Sequence, residues 1–210
     1  MAAARQTPAV PVVCALWLLA LVASGIAPHD RLTWFMEVLP VLVVAPLLVA
    51  TRRRLPLTSL AYTLIALHGL ILIYGGAHTY ARTPFGFWLQ DIFGGARNPY
   101  DRIGHFAQGF VPALVARELL LRVFAIRGRR ILFFLVLCIS LAVSAFYELI
   151  EWWAALLIGA QADEFLATQG DVWDTQWDMF LALCGALFAQ LLLARAHDRQ
   201  IARLAPATAP

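Results

Sequence analysis

The sequence predicts an all-α, polytopic membrane protein with about six transmembrane helices and both termini in the cytoplasm. Three observations predict it. Of 210 residues, 61% are hydrophobic and 14% charged, against roughly 45–50% and 25% in a soluble domain. Six runs, at about residues 9–27, 34–51, 57–76, 104–126, 131–159 and 175–195, approach the roughly 20 apolar residues needed to cross about 30 Å of hydrocarbon. The basic residues, all sixteen of them Arg, gather in short clusters between those runs rather than along one face. That is the pattern of membrane topology and not of a phosphate-binding surface, so nucleic acid is not an expected partner. A single membrane domain over residues 1–210 follows.

Taken in order, the first run follows Arg5 and ends in Ala23-Ser24-Gly25, which resembles a secretory signal. It is longer than the usual 7–15-residue signal core, so an uncleaved helix is expected. The second and third runs are separated by Arg52, Arg53 and Arg54. Between the third and fourth, Phe85, Trp88, Leu89, Ile92 and Phe93 recur at helical spacing after Pro84, predicting a short helix lying in the membrane interface, as a lid or as an anchor. Gly94-Gly95 ends it, and Asn98-Pro99 reads as an N-cap followed by Pro at the first position of the fourth span.

Orientation follows from Arg5, Arg52 to Arg54, Arg122, Arg127, Arg129, Arg130, Arg195, Arg199 and Arg203. These are eleven of the sixteen Arg, and a six-span chain gathers them on one side, which the positive-inside rule assigns to the cytoplasm. The loops at about 78–103 and 160–174 then face outward. Six of the seven Trp (Trp34, Trp88, Trp152, Trp153, Trp173 and Trp177) fall near that outer boundary, as an interfacial belt requires. Cys14, Cys138 and Cys184 each sit in an apolar run with no C-x-x-C spacing and read as small hydrophobes.

Polar residues then sort by depth. Asp101 and His105, at i and i+4, share a helix face at the outer end of the fourth span. Glu148 and Glu151 lie in the outer half of the fifth, Asp171, Asp174 and Asp178 open the sixth, and Glu37 and His78 lie at the same level. An acid at a helix centre costs roughly 2.5–3.5 kcal/mol on insertion scales, so something must offset Glu148 and Glu151. Asp101, His105, Asp174 and Asp178 are candidate metal ligands, and Glu148 and Glu151 candidate general bases or proton carriers. Structural readings stand beside these: Asp101 as an acid complementing the helix dipole, Asp171 with Asp174 as a cap pair, and His68, His78 and His105 as packed histidines. Deeper in the fourth span, Arg117, Glu118 and Arg122 form a structural polar group with the favourable Glu118 to Arg122 order for an ion pair. Arg117 can snorkel toward the inner face. Pro112 frees the Gln108 carbonyl and predicts a bend close to the site.

The segments HTYARTPFGFW, RNPYDRIGHFAQGF, ARELLLR, SAFYELIEWW and TQGDVWDTQWDM resemble, in order and spacing, the YjdF-type family of bacterial inner-membrane proteins. The likeness runs from about His78 to Gly185. It implies a multi-pass location in the bacterial inner (cytoplasmic) membrane and a common six-helix architecture, and it supplies no reaction. A looser likeness to VanZ-like membrane proteins rests on Asp101 with His105 followed by acids in the next spans.

Three function classes stay open. The first is a metal-dependent enzyme acting on a lipid or envelope substrate at the outer leaflet, with Zn²⁺ or Mn²⁺ held by His and Asp and a spare carboxylate as base. The second is a cation- or proton-coupled transporter using Glu148, Glu151 and Asp178, although no duplicated halves are visible. The third is a structural or partner-binding membrane protein whose polar cluster ties helices together. No H-E-x-x-H, Walker loop, dinucleotide fingerprint or serine-nucleophile motif is present. Nothing in the sequence argues for a particular oligomeric state.

Overall fold

Caps, glycines and prolines punctuate the apolar runs into seven α-helices and one 3₁₀ turn in a computed structural model that describes residues 9–159 and 166–204. α1 (Ala9–Gly25) leads to α2 (Arg31–Thr51), whose N-cap Asp30 accepts a hydrogen bond from the Thr33 N–H at 2.7 Å. α3 (Ser59–His78) starts at Thr58, which accepts from the Ala61 N–H at 3.2 Å. A 3₁₀ turn (Tyr80–Arg82) and α4 (Pro84–Phe93) follow. α4 has Pro at its start and stops at Gly94, whose φ of 66° is the left-handed cap that glycine adopts without penalty. α5 (Tyr100–Arg122), α6 (Arg129–Ile158) and α7 (Asp174–Ile201) complete the bundle.

α2, α3, α6 and α7 are long and apolar enough to cross a membrane by length and composition. α1 has 17 residues, and α5 falls short because Asp101, Arg102, His105, Arg117, Glu118 and Arg122 lower its apolarity. The fourth expected span starts earlier than its apolar run, since the helix continues into the polar head that carries Asp101. The sixth runs on to Ile201, because His197 and Asp198 bond to α5. The expected N-cap role of Asn98 is replaced by another. Pro99 directly precedes the helix, while the buried Asn98 side chain accepts from the Tyr100 N–H at 3.1 Å and donates to the Thr83 carbonyl at 3.0 Å. The connection of α4 to α5 is thereby tied to the start of α4. Arg5 and residues 160–165 of the second expected outer loop lie outside the described residues.

α5 is the axis of the molecule, packing along α7 and against α3 and α6, while α1, α2 and α3 pack together on its other side. The approach of α5 to α7 is backbone to backbone. A methyl group built on Gly185 would stand 2.8 Å from the Phe110 nitrogen and would overlap the Phe106 carbonyl oxygen. Small residues at such a crossing are how membrane helices gain van der Waals contact without a hydrophobic driving force. The outward faces are apolar, with Leu18, Leu19, Phe134, Phe146, Leu191 and Leu192 exposed, the surface a lipid environment demands. Cys138 lies on that exposed surface rather than in the core.

Candidate metal centre

The first two turns of α5 aim Asp101 and His105 at the same point, and the close α5–α7 crossing brings Asp178 to meet them. His105 Nε2 lies 3.4 Å from Asp101 Oδ1 and 3.8 Å from Asp178 Oδ2. One donor atom from each of the three residues lies within 4.8 Å of the others, and all three side chains are buried. Donors arranged tetrahedrally at the usual 2.0–2.2 Å from Zn²⁺ stand about 3.3–3.6 Å apart, so the cluster is close to the size a bound ion needs. On the other edge of the ring, His105 Nδ1 lies 3.1 Å from Gln108 Oε1 and 3.8 Å from Glu148 Oε1. With the ring proton on Nδ1 and donated to Gln108, the Nε2 lone pair faces two carboxylates. Only a positive charge among them, a proton or a cation, makes that arrangement favourable.

The acids outnumber the bases here. Glu37, Asp101, Glu148, Asp174 and Asp178 are all buried, and Asp178 Oδ1 and Glu148 Oε1 have no hydrogen-bond partner. Arg97 answers part of that charge. It pairs with Asp174, reaches Asp171 and Asp101 at 3.5 Å each, and donates to the Ala167 carbonyl at 3.2 Å. Arg102 pairs with Asp171 at 3.0 Å and lies over the Trp177 ring. Asp174 therefore stands beside the Asp101–His105–Asp178 trio, engaged by Arg97. Asp171 also accepts from the Trp173 N–H at 3.0 Å, a turn contact at the head of α7. His78 packs edge-on against Tyr74 and does not join the cluster.

Sequence reasoning passed over Arg97, Tyr80 and Tyr147. Arg97 was findable, since it sits at i−4 from Asp101. Tyr80, in the 3₁₀ turn, is buried beside Glu37. Burial, and then the neighbouring Glu37 carboxyl, push its phenol well above the ordinary value of 10.0, so the hydroxyl keeps its proton and serves as a donor. Tyr147 lies edge-on to His105 with ring centroids 6.4 Å apart.

A cavity of about 500 Å³ opens from this cluster into the bundle. Glu37, His68, Tyr80, Asp101, His105, Gln108, Tyr147 and Glu151 line one end of it. Glu151 thus faces the cavity, one helical turn from Glu148, which touches His105. Further along, the walls are Val41, Val44, Leu48, Val111, Val115 and similar side chains as far as Leu57, with Thr51 at that far end.

Comparison with known proteins settles the family. The family described as "Predicted membrane protein (DUF2238)" matches residues 9–199. The chain belongs to that family. It is also 60% identical over 185 residues to the inner membrane protein YjdF of Escherichia coli (strain K12), an alignment covering 88% of each chain. No solved structure matches. Together with the apolar helices, this makes the chain a multi-pass protein of the inner membrane.

In this family member a second polar network closes the opposite end of the bundle. Glu118, fully buried, accepts from the Thr58 N–H and hydroxyl, from Arg122 Nη1 at 2.6 Å, and contacts His197 Nε2 at 3.0 Å. Arg122 also donates to the Pro56 carbonyl at 2.6 Å. Arg117, buried, bonds Asp198 at 2.6 Å. The network ties the α2–α3 connection, α5 and α7 together, and none of its residues is among those lining the cavity.

Proposed function

We propose that the protein spans the inner membrane six times with both termini cytoplasmic, and that the Asp101–His105–Asp178 cluster is the centre of a metal-dependent enzyme acting at the outer leaflet on a lipid or envelope substrate. The observation that carries the proposal is His105, whose Nε2 faces Asp101 and Asp178 while its Nδ1 lies on Gln108. Asp101, His105 and Asp178 hold a divalent ion, Zn²⁺ or Mn²⁺, in a mixed nitrogen and oxygen shell. Gln108 fixes the imidazole ring and its tautomer, as outer-shell partners of metal-bound histidines do. Glu151, facing the cavity, and Glu148, beside His105, move the proton at the reacting centre. Arg97 holds Asp174 and orients Asp101. The ion would supply Lewis-acid polarisation of a substrate oxygen or an activated water. Six spans are supported by the Arg distribution and by α5, whose charges collect toward its two ends around an apolar middle.

A cation- or proton-coupled transporter is the weaker reading. Beyond Gln108 and His68 the described residues of the cavity wall carry no titratable side chain, so this lining offers protons or cations no onward path.

The test is metal content by mass spectrometry of detergent-purified protein loaded with each ion, alongside a His105→Ala, Asp178→Ala double variant of matched monodispersity. Near one equivalent of metal in the parent, lost in the folded variant, is expected. Failure of the loaded parent to retain Zn²⁺ or Mn²⁺ would overturn the metal centre, and proton and cation flux assays on Glu148→Gln and Glu151→Gln would follow.

A further inference from the structure

The cavity has one polar end and one long apolar body, and the body is as informative as the end. From Glu37 to Thr51 it follows α2 for fourteen residues, about 21 Å of helix rise. It has the volume of a pocket for one small ligand, about 500 Å³, within the usual range of roughly 300–1,000 Å³. Protein interiors otherwise pack to crystal density, and leaving a space of this size without contacts is unfavourable. The space has a side opening as well. α2 packs on α1 and α3, α6 packs on α5 and α7, and no packed interface joins α2 to α6. Leu47 of α2 and Val143 of α6 both line the cavity and are both exposed on the lipid-facing surface. A gap between two membrane helices that leads to an apolar space communicates with the hydrocarbon of the bilayer. At the polar end, His68 Nε2 is buried without a hydrogen-bond partner, and Gln108, Tyr80 and Tyr147 line the same cavity.

We infer that the cavity binds a single-chain amphiphile, its hydrocarbon chain lying along α2 and α5 and entering between α2 and α6, its polar linkage held by His68, Tyr80, Gln108 and Tyr147 beside His105. The inference rests on the proposed reading of the site as acting on a lipid, and narrows that substrate to one chain. Both tails of an ordinary phospholipid exceed the space. The orientation follows from the walls, whose described residues are polar at the His105 end and, apart from Thr51, apolar along the rest. A chain inserted that way delivers its linkage oxygens to the cluster, and the chain itself replaces the contacts that the apolar walls lack.

The experiment uses full-length protein in detergent and in nanodiscs, with a lysophospholipid whose palmitoyl chain ends in a photoreactive diazirine. Crosslinked peptides are mapped by mass spectrometry, and Mn²⁺ and Zn²⁺ retention is measured on the same samples. In the parent, label is expected on the cavity side of α2, α5 and α6, competed by unlabelled lysophospholipid. It should fall at least tenfold in Val44→Trp and in Val115→Trp, which block the middle of the cavity away from the metal cluster, and persist in Leu18→Trp on the outer face of α1. Label confined to outward faces of the parent overturns the inference whether or not the blocking variants fold. Equal cavity labelling by a two-chain phosphatidylcholine diazirine overturns the single-chain assignment. Cavity label in protein that retains no metal supports this inference and removes the metal reading, whereas retained metal without cavity label removes this inference alone.

Discussion

Replacing Gly109 by Ala should loosen the metal centre through the helix crossing, without touching any ligand. A Cβ built on Gly109 lies 2.6 Å from the Ala182 Cα and closer still to the Ala182 carbonyl carbon and oxygen. Ordinary contact begins at about 3.4 Å, so relieving the Cα overlap alone takes 0.8 Å, and the closer carbonyl atoms require α5 and α7 to separate by more than that. The obstacle is backbone, so no side chain can rotate away to relieve it. Overpacking of this kind costs about 1–3 kcal/mol, equivalent to a melting temperature lower by about 2–12 °C for a chain of this size. Metal–ligand bond lengths hold to about 0.2 Å, so moving α5 and α7 apart pulls donors on the two helices away from a shared ion; Asp178 lies on α7 four residues before Ala182 and His105 lies on α5 four before Gly109. Metal retention should therefore fall more than stability does. The assay is thermal unfolding in detergent with Zn²⁺ and Mn²⁺ titration, using Gly95→Ala as control, whose Cβ would meet only the Arg97 carbonyl oxygen at 3.6 Å. Parental melting and parental metal affinity in Gly109→Ala would refute the close crossing and its coupling to the site.

Two further outcomes test the rest of the frame. Glu118→Ala removes the carboxylate that Arg122, Thr58 and His197 share in a buried site, and a loss of about 3–5 kcal/mol, seen as a large fall in detergent melting temperature or in yield, is expected. Metal retention by whatever folded protein remains should be unchanged, because the network stands outside the cavity lining. Asp30→Ala should cost about 1 kcal/mol, read by hydrogen exchange at the start of α2, by removing its N-cap. The backbone hydrogen bond from Thr33 holds the Asp30 carboxyl below its ordinary value of 3.8. A depressed acid stabilises the fold while ionised, so the cap persists from neutral pH down past 3.8 and is lost only as pH falls through the lower folded-state value. Faster exchange at pH 5 than at pH 7, after correction for intrinsic rates, would contradict this.

The sequence by itself determined the membrane class, the all-helical architecture, the short α4 and the shared face of Asp101 and His105, because hydropathy and helical periodicity are properties of neighbours in the chain. It also exposed the acids that an apolar span does not tolerate without compensation, which drew Glu148, Glu151 and Asp178 into view. Helix ends shifted by a few residues where tertiary bonds extended them, as at Tyr100 and Ile201. Only the tertiary structure decided that Asp178 and Glu148 face His105 while Asp174 goes to Arg97, and that Tyr80 and Tyr147 join the polar end. Those choices depend on the rotation of each helix about its axis and on how near α5 and α7 approach at Gly109 and Gly185, and no local pattern specifies either. The cavity belongs to the same class of fact. It exists because α2 and α6 stop short of each other, a distance set by packing against α3, α5 and α7 rather than by the composition of either helix.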